Sequence, residues 1–220
     1  MQDIYKILPL YFIAGTQDCR HLEGDRAEHL CNILEQALQA GITCFQFRDK
    51  GKYSLEDQPE QQKAVAIRCR DLCRKYAVPF IVNDNVPMAL EIEADGIHVG
   101  QKDVSPKEIK AMTQRPLIIG LSVNKLHEAH ESNDLSEIDY FGIGPIFPTQ
   151  SKEDPKPVVG MQFIQTLREA GINKPLVAIG GVKENSVAQL LQNGANGVAV
   201  ISAITQSPNI AQTVQAFLNP

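Results

Sequence analysis

The sequence lacks any apolar run close to the roughly 18 residues that a membrane-spanning helix requires. Its first residues also lack the charged-then-apolar pattern of a secretory signal. These absences predict a cytoplasmic protein with no membrane partner. Basic residues are not in excess, because the net charge is -5. Nucleic acid is therefore a poor candidate partner, and any anionic ligand has to be held by local cations.

Cysteine and histidine patterns typical of metal or covalent chemistry are missing as well. The five cysteines contain no C-x-x-C pair, which argues against a disulfide framework and a zinc site. We expect packed, inert thiols. No metal-binding histidine spacing occurs: His127 and His130 lie in a polar run and are expected to be solvated, and His98 lies in a predicted strand and is expected to be structural. Nothing resembles a Ser-His-Asp triad, so the sequence does not favour covalent catalysis.

Short apolar segments alternate along the chain with longer segments of helical period. At 220 residues and 43% hydrophobic content, the chain can form one sizeable core, and we predict a single domain over 1–220. The predicted strands are 10–14, 43–47, 80–83, 96–99, 117–121, 140–143, 176–179 and 197–200. The predicted helices lie near 25–40, 60–76, 86–93, 105–113, 125–132, 160–170, 184–194 and 208–218. This α/β alternation predicts a parallel sheet closed into a (β/α)8 TIM barrel.

Local signals mark several element boundaries. Ser105-Pro106-Lys107-Glu108 predicts a capping box at a helix start, with proline in the first helical position. Ala40-Gly41, Ala170-Gly171 and Asn193-Gly194 predict helix ends. One connection, from Gly51 to Gln62, is unusually polar; it is either a mobile flap over a site or a solvated loop.

The chemistry-bearing residues follow the predicted strands. Catalytic groups of such barrels lie at the carboxyl ends of the strands, and phosphate is commonly bound after the seventh and eighth. Gly144 to Lys152 combines glycine and proline with two hydroxyls and an ammonium, which is typical of a polyanion-binding loop. The residues that share this position at strand ends are Gln46, Arg48, Lys50, Asn83, Asp84, Gln101, Asp103, Ser122, Asn124, Thr149, Ser151, Lys152, Gly180, Gly181, Ile201 and Ser202.

Taken singly, these residues have simpler interpretations. Asp84 could cap the next helix, Asp103 could form an Asx turn, and the charges at 48–50 could be solvated. Together, the two carboxylates beside cations predict Mg²⁺ that bridges a diphosphate. Gly180-Gly181 and the backbone near Ser202 would bind a smaller phosphate. Two anion sites on one rim imply two phosphorylated small-molecule substrates and a transfer, with mainly electrostatic and positional catalysis.

At these residues the sequence resembles the thiamine phosphate synthase family, from about Leu10 to Ile204. The resemblance implies a pyrimidine diphosphate site, a magnesium site and a thiazole phosphate site. The first would comprise Gln46, Phe47, Arg48, Asp49, Lys50, Asn83, Ser122 and Lys152. The metal ligands would be Asp84 and Asp103. The thiazole phosphate would contact Thr149, Gln150, Ser151, Gly181, Ile201 and Ser202.

The resemblance also implies a reaction in which a thiazole nitrogen displaces diphosphate from a pyrimidinylmethyl carbon, giving thiamine monophosphate. We expect Lys152, Arg48 and Ser122 to act in the chemical step, and a homodimer. Ser151 stands where the family commonly has threonine, which preserves the hydroxyl. A related thiazole tautomerase is an alternative, but it uses a histidine where this chain has Asn124. A non-catalytic phosphate-ligand sensor is another alternative, in which the paired carboxylates would have no purpose.

Overall fold

Eight parallel strands form a closed barrel in a computed structural model that describes residues 3–151 and 156–220. The strands are β1 (Leu10–Ala14), β2 (Cys44–Phe47), β3 (Phe80–Asn83), β4 (Gly96–Val99), β5 (Ile118–Val123), β6 (Tyr140–Ile143), β7 (Leu176–Ile179) and β8 (Gly197–Val200). Each strand pairs with the next along the chain, and β8 pairs with β1 to close the ring. The predicted (β/α)8 barrel is therefore confirmed.

Helices follow the strands around the outside of the barrel. They are α1 (Ile4–Ile7), α2 (Arg26–Ala40), α3 (Pro59–Lys75), α4 (Val86–Glu91), α5 (Pro106–Ala111), α6 (Leu126–Ser132), α7 (Gln162–Glu169), α8 (Val187–Gln192), α9 (Ser202–Thr205) and α10 (Ile210–Leu218). Two short 3-10 helices, η1 (Thr16–Cys19) and η2 (Glu184–Ser186), complete the set. Of these, α1, η1 and α9 were not predicted, because four residues are too few to show a helical period.

The predicted helix boundaries rest on the expected local chemistry. The Ser105 hydroxyl accepts from the Glu108 amide, and the Glu108 carboxylate accepts from the Ser105 amide at 3.0 Å. Gly41 ends α2 with a φ of 104°, a left-handed conformation that glycine adopts without steric cost. These contacts confirm the capping box and the first glycine stop.

Two separate apolar clusters result from the alternation of side chains along the strands. The larger cluster lies between barrel and helices and includes Phe12, Phe45 and Phe80. The smaller one includes Tyr11, Ile81, Tyr140, Val177 and Ala199, which occupy the barrel interior. This interior contains two tyrosines in place of an all-aliphatic filling, so polar groups are available beneath the barrel mouth.

The remaining sequence expectations concern thiols, histidines and membrane spans. All five cysteines are buried and free, as expected. His127 and His130 are exposed. Within the two described ranges, no helix has the length and hydropathy needed to cross a bilayer.

Candidate active site

The mouth at the carboxyl ends of the strands gathers residues that are far apart in sequence. A cavity of about 170 Å³ opens there, lined by six of the predicted site residues: Gln46, Arg48, Asn83, Asp84, Asp103 and Ser122. Tyr11, His98 and Lys156 also line it. These six residues therefore lie together at one rim, as expected for parallel strands that bring their carboxyl ends to the same side of a barrel.

The segment from Gln46 to Lys50 divides into two sets of side chains. Gln46 and Arg48 line the mouth, and Lys50 lies beside it in an adjoining cavity. Phe47 points the other way: it is 1% exposed and stacks on Phe80 in the layer under the helices. The structure does not bring the Phe47 side chain to the mouth, because successive residues of a strand face opposite sides.

Asp49 is also turned away from the mouth and joins three loops. One carboxylate oxygen accepts from the Thr16 amide at 2.7 Å and from its hydroxyl at 2.5 Å. The other accepts from the Leu55 amide at 2.9 Å and from Gln62 Nε2 at 3.2 Å. This buried carboxylate thus fastens η1 and the Gly51 to Gln62 connection to the end of β2. That connection is an anchored loop, and any contact of Asp49 with a substrate falls to its main chain.

Asp84 lies in a tight turn directly after β3. Its φ is 60°, and the Asn85 amide donates to the Asn83 carbonyl across it at 2.7 Å. Asn85, not Asp84, caps α4 by accepting from the Met88 amide, so the simple capping interpretation of Asp84 is wrong. The Asp84 carboxylate instead pairs with Lys50 Nζ at 2.9 Å, and this hydrogen bond raises the pKa of Lys50.

Asp103 lines the same cavity and is exposed. One of its oxygens accepts from the Gly100 amide at 2.7 Å, whereas the Ser105 amide donates to Glu108, so the Asx turn of the simpler interpretation does not form. Both aspartates nevertheless line one cavity. In the part of the chain that the structure describes, no three His, Cys, Asp or Glu side chains form a metal cage. The donor set fits a cation such as Mg²⁺, which takes one or two carboxylates and completes its shell with phosphate oxygens and water.

The loops after β6, β7 and β8 form a smaller cleft beside the main cavity. Thr149, Ser151, Gly181, Ile201 and Ser202 line it, and Ile179 and Ala199 line both cavities. Gly181 has a φ of 63°, and a Cβ atom there would lie 2.6 Å from the Pro148 carbonyl oxygen.

Gln150 is exposed on two flanking cavities. Lys152, predicted to act in the chemical step, lies outside the described residues.

A hydrogen-bonded chain beneath the mouth was not predicted. Gln46 Nε2 donates to the Tyr11 hydroxyl at 2.9 Å, and the Tyr11 and Tyr140 hydroxyls are 2.8 Å apart. His98 Nδ1 lies 3.1 Å from the Tyr140 hydroxyl, and His98 Nε2 lies 2.9 Å from Ser122 Oγ. Five side chains from β1, β2, β4, β5 and β6 thus connect two predicted substrate contacts.

Lys156 is a second residue that sequence reasoning missed. Its ammonium donates to Asn124 Oδ1 at 2.6 Å, and Asn124 Nδ2 donates to the Gly144 carbonyl. Lys156 therefore adds a cation to the rim between β5 and β6. Its position in a polar loop gave no sequence signal.

Carboxylates, cations and two adjoining clefts on one barrel rim define a class: a (β/α)8 enzyme for phosphorylated substrates. Within that class, a family model for thiamine monophosphate synthase matches residues 10–204, and the chain belongs to this family. It is 67% identical over 217 residues to a thiamine-phosphate synthase of Haemophilus influenzae, covering 99% of this chain and 96% of that protein. A thiamine-phosphate synthase of Actinobacillus pleuropneumoniae is 62% identical over 218 residues, covering 99% of this chain and all of that protein.

A solved structure agrees with these sequence relatives. The thiamine phosphate pyrophosphorylase of Pyrococcus furiosus superposes with a TM-score of 0.80 at 29% identity, covering 98% of this chain and 96% of that one. The family resemblance is thus confirmed, and the relatives support the synthase in preference to the tautomerase or the sensor.

Proposed function

We propose that this protein condenses hydroxymethylpyrimidine diphosphate with thiazole phosphate to give thiamine monophosphate and diphosphate. The observation that carries the proposal is the pair of adjoining cavities on the rim, which share Ile179 and Ala199. A transfer between two substrates requires two sites whose contents can meet. Full-length similarity to thiamine-phosphate synthases supports the same reaction.

The larger cavity is the proposed site of the pyrimidine diphosphate. Gln46, Asn83 and Ser122 offer amide and hydroxyl groups for the ring, and Arg48 and Lys50 offer positive charge for the diphosphate. The side chains of Phe47 and Asp49 are occupied in the fold. Their predicted contribution is therefore limited to main-chain contacts and to the placement of Arg48 and Lys50.

Asp84 and Asp103 are the proposed magnesium ligands. Bound Mg²⁺ would neutralise charge on the diphosphate as that group departs. The ion pair of Asp84 with the Lys50 ammonium at 2.9 Å supports this proposal, because it indicates that the Asp84 carboxylate attracts positive charge. Because two carboxylates leave most of the coordination shell to other donors, the site depends on the substrate for completion.

The smaller cleft is the proposed thiazole phosphate site. Thr149 and Ser202 supply hydroxyls there, and Gly181 allows close approach of the main chain. Between the two substrates, Arg48, Ser122 and Lys152 are proposed to act in the chemical step by meeting charge that grows on the departing diphosphate. A cytoplasmic homodimer, implied by the resemblance, completes the proposal.

Purified protein incubated with both substrates and Mg²⁺ tests the reaction directly. We expect thiamine monophosphate and diphosphate in equal amounts by chromatography and ³¹P NMR, and loss of both after removal of divalent cations. A tautomerase would convert the thiazole phosphate precursor without any pyrimidine substrate. A sensor would bind both ligands and release neither product. Either result would overturn the proposal, and light scattering would check the homodimer.

A further inference from the structure

The hydrogen-bonded chain from Gln46 to Ser122 has a direction that follows from counting protons. Burial raises the pKa of both tyrosines well above the usual value, so each phenol keeps one proton and can donate once. Tyr11 accepts from Gln46 Nε2, and its own proton can go to the Tyr140 hydroxyl at 2.8 Å or to the Cys44 thiol. When Tyr11 donates to Tyr140, the Tyr140 proton is available for His98 Nδ1, 3.1 Å away.

The far end of the chain is set by the same count. A neutral imidazole has one donor and one acceptor nitrogen. In a neutral His98 whose Nδ1 accepts from Tyr140, the proton would lie on Nε2 and would be donated to Ser122 Oγ, 2.9 Å away. The Ser122 hydroxyl then keeps its own proton for the cavity. At the near end, Gln46 uses its amide nitrogen on Tyr11, which leaves Oε1 as an acceptor.

Glycines on the neighbouring strands leave just enough room for the His98 and Tyr140 rings. Gly120 and Gly142 lie on the strands beside His98 and Tyr140, and a Cβ at Gly142 would lie 2.9 Å from His98 Cε1. A Cβ at Gly120 would lie 2.5 Å from His98 Nδ1 and would collide with the Tyr140 ring. Both rings are therefore held between strands without freedom to turn over.

We propose that this chain presets Gln46 Oε1 as an acceptor and the Ser122 hydroxyl as a donor toward the pyrimidine ring, with His98 and Tyr140 as positioning residues. The inference rests on the proposed assignment of Gln46 and Ser122 to the pyrimidine substrate. An aminopyrimidine offers an amine donor and ring-nitrogen acceptors. A fixed acceptor for the amine and a fixed donor for a ring nitrogen therefore select one orientation of the ring. An analogue with an oxo group in place of the amine would set two acceptors against each other at Gln46.

The first test reads the proton on His98 in the complete protein. We expect ¹⁵N NMR of histidine-labelled protein at neutral pH, with the signal assigned by loss in His98→Gln, to show the Nε2–H tautomer. A dominant Nδ1–H tautomer would reverse the chain and overturn the inference. This readout involves no substrate, so it is independent of whether the proposed reaction is correct.

The second test breaks the chain in the middle with Tyr140→Phe, which keeps the ring. The substitution removes both buried hydrogen bonds of the Tyr140 hydroxyl, to Tyr11 and to His98. It should weaken binding of the pyrimidine diphosphate about fivefold to tenfold in calorimetry, with the thiazole phosphate changed less than about twofold. Tyr76→Phe is the matched control, because the Tyr76 hydroxyl bonds Glu35 and Gln39 on the helical surface. Unchanged pyrimidine affinity in Tyr140→Phe would overturn the inference and leave the proposed reaction standing.

The third test measures coupling along the chain. Ser122→Ala should weaken pyrimidine binding in the wild-type protein. In Tyr140→Phe the same substitution should weaken it by a factor at least about threefold smaller, since the Ser122 hydroxyl is no longer preset. Paired with Tyr76→Phe, the same substitution should cost the same as in the parent. Additive losses with Tyr140→Phe would show that Ser122 is set independently and would also overturn the inference.

Discussion

The two sides of the barrel mouth differ in the chemical groups that line them. On the side of β2 to β5, charged and amide side chains such as Arg48, Asp84 and Asp103 surround the cavity. On the side of β6 to β8, the cleft is lined by hydroxyls, by the Gly180-Gly181 turn and by apolar residues such as Ile201. A site made of side chains can be broken by an isosteric change. A site that relies on main-chain groups is disrupted most by added volume, and removal of one hydroxyl should weaken it less.

Asp84→Asn should show the largest effect, on the side-chain half. It removes charge from the proposed metal site without a cavity, and asparagine tolerates the φ of 60° at this position. We expect turnover to fall by about 10²-fold or more. The partly exposed pair with Lys50 contributes little to folding, so the free energy of unfolding should change by less than about 1 kcal/mol.

Steady-state kinetics at several Mg²⁺ concentrations and urea unfolding measure the two quantities. Asp71→Asn, at an exposed carboxylate on α3, is the control. Wild-type turnover in Asp84→Asn, or equal loss in both variants, would contradict the metal assignment.

Lys152→Met tests the cation that follows Thr149 and Ser151 in the sequence. A charge-assisted contact contributes about 1.5–3 kcal/mol, so single-turnover chemistry should slow roughly tenfold to over a hundredfold. Ground-state affinity for both substrates should fall less, because the charge on the diphosphate is largest as it departs. Rapid-quench measurements decide this, with exposed Lys107→Met as control. A wild-type rate would remove Lys152 from the mechanism.

Arg48→Ala should separate the two sides by affinity. Loss of its charge should weaken the pyrimidine diphosphate by about tenfold or more and leave the thiazole phosphate within about twofold. Ser202→Ala should show the reverse preference with a smaller loss. Calorimetric titration of each variant with each ligand checks the division. Equal losses of both ligands in both variants would show one merged site.

Gly181→Ala tests the main-chain half by adding one methyl group. That methyl would crowd the Pro148 carbonyl, and we expect the thiazole phosphate to bind about tenfold more weakly. Gly160→Ala is a matched control, since Gly160 has a φ of 79° and open space around its Cβ position. Both variants should lose about 1–2 kcal/mol of stability from left-handed strain. Unchanged thiazole affinity in Gly181→Ala would contradict the assignment.

Asp18→Asn should have the smallest effect on activity and a clear effect on pH dependence. Burial raises the pKa of Asp18 from 3.8 to about 6 beside the main-chain cleft. The folded state therefore binds more protons than the unfolded state between these values, and the free energy of unfolding falls as pH rises from about 4 to 6. Asparagine does not titrate and so removes this loss. Between pH 4 and pH 7, the free energy of unfolding of the variant should rise by about 1–3 kcal/mol relative to that of the wild type.

Urea unfolding at both pH values measures the gain. Asparagine keeps an oxygen to accept from the Gly15 amide and Gln17 Nε2. Parallel pH profiles for the two proteins would refute the prediction.

Strands, long helices and their caps could be predicted because their signals are local. A run such as Phe80-Ile81-Val82-Asn83 and a stop such as Ala40-Gly41 carry their meaning within a few residues. The rim residues followed from one general rule about barrels. That the side chains of Phe47 and Asp49 face away from the mouth could also have been predicted, because successive residues along a strand face opposite sides.

The tyrosine–histidine chain could not be predicted from local patterns. Tyr11 and Tyr140 are 129 residues apart and meet only when the barrel closes. In sequence, each tyrosine is one more apolar residue of a strand. His98 likewise has no local signal for its contact with Ser122, 24 residues further along the chain.

The glycines beside these rings also constrain how the sequence can diverge. A larger residue at Gly120 has no room while position 140 carries a tyrosine, and a smaller residue at 140 opens a void while position 120 stays glycine. Neither change is tolerated alone, and a side chain at 120 would also meet His98, whose Nδ1 lies 2.5 Å from the Cβ position. Positions 98, 120 and 140 should therefore coevolve, and a lineage that filled the glycine should have changed both the histidine and the tyrosine.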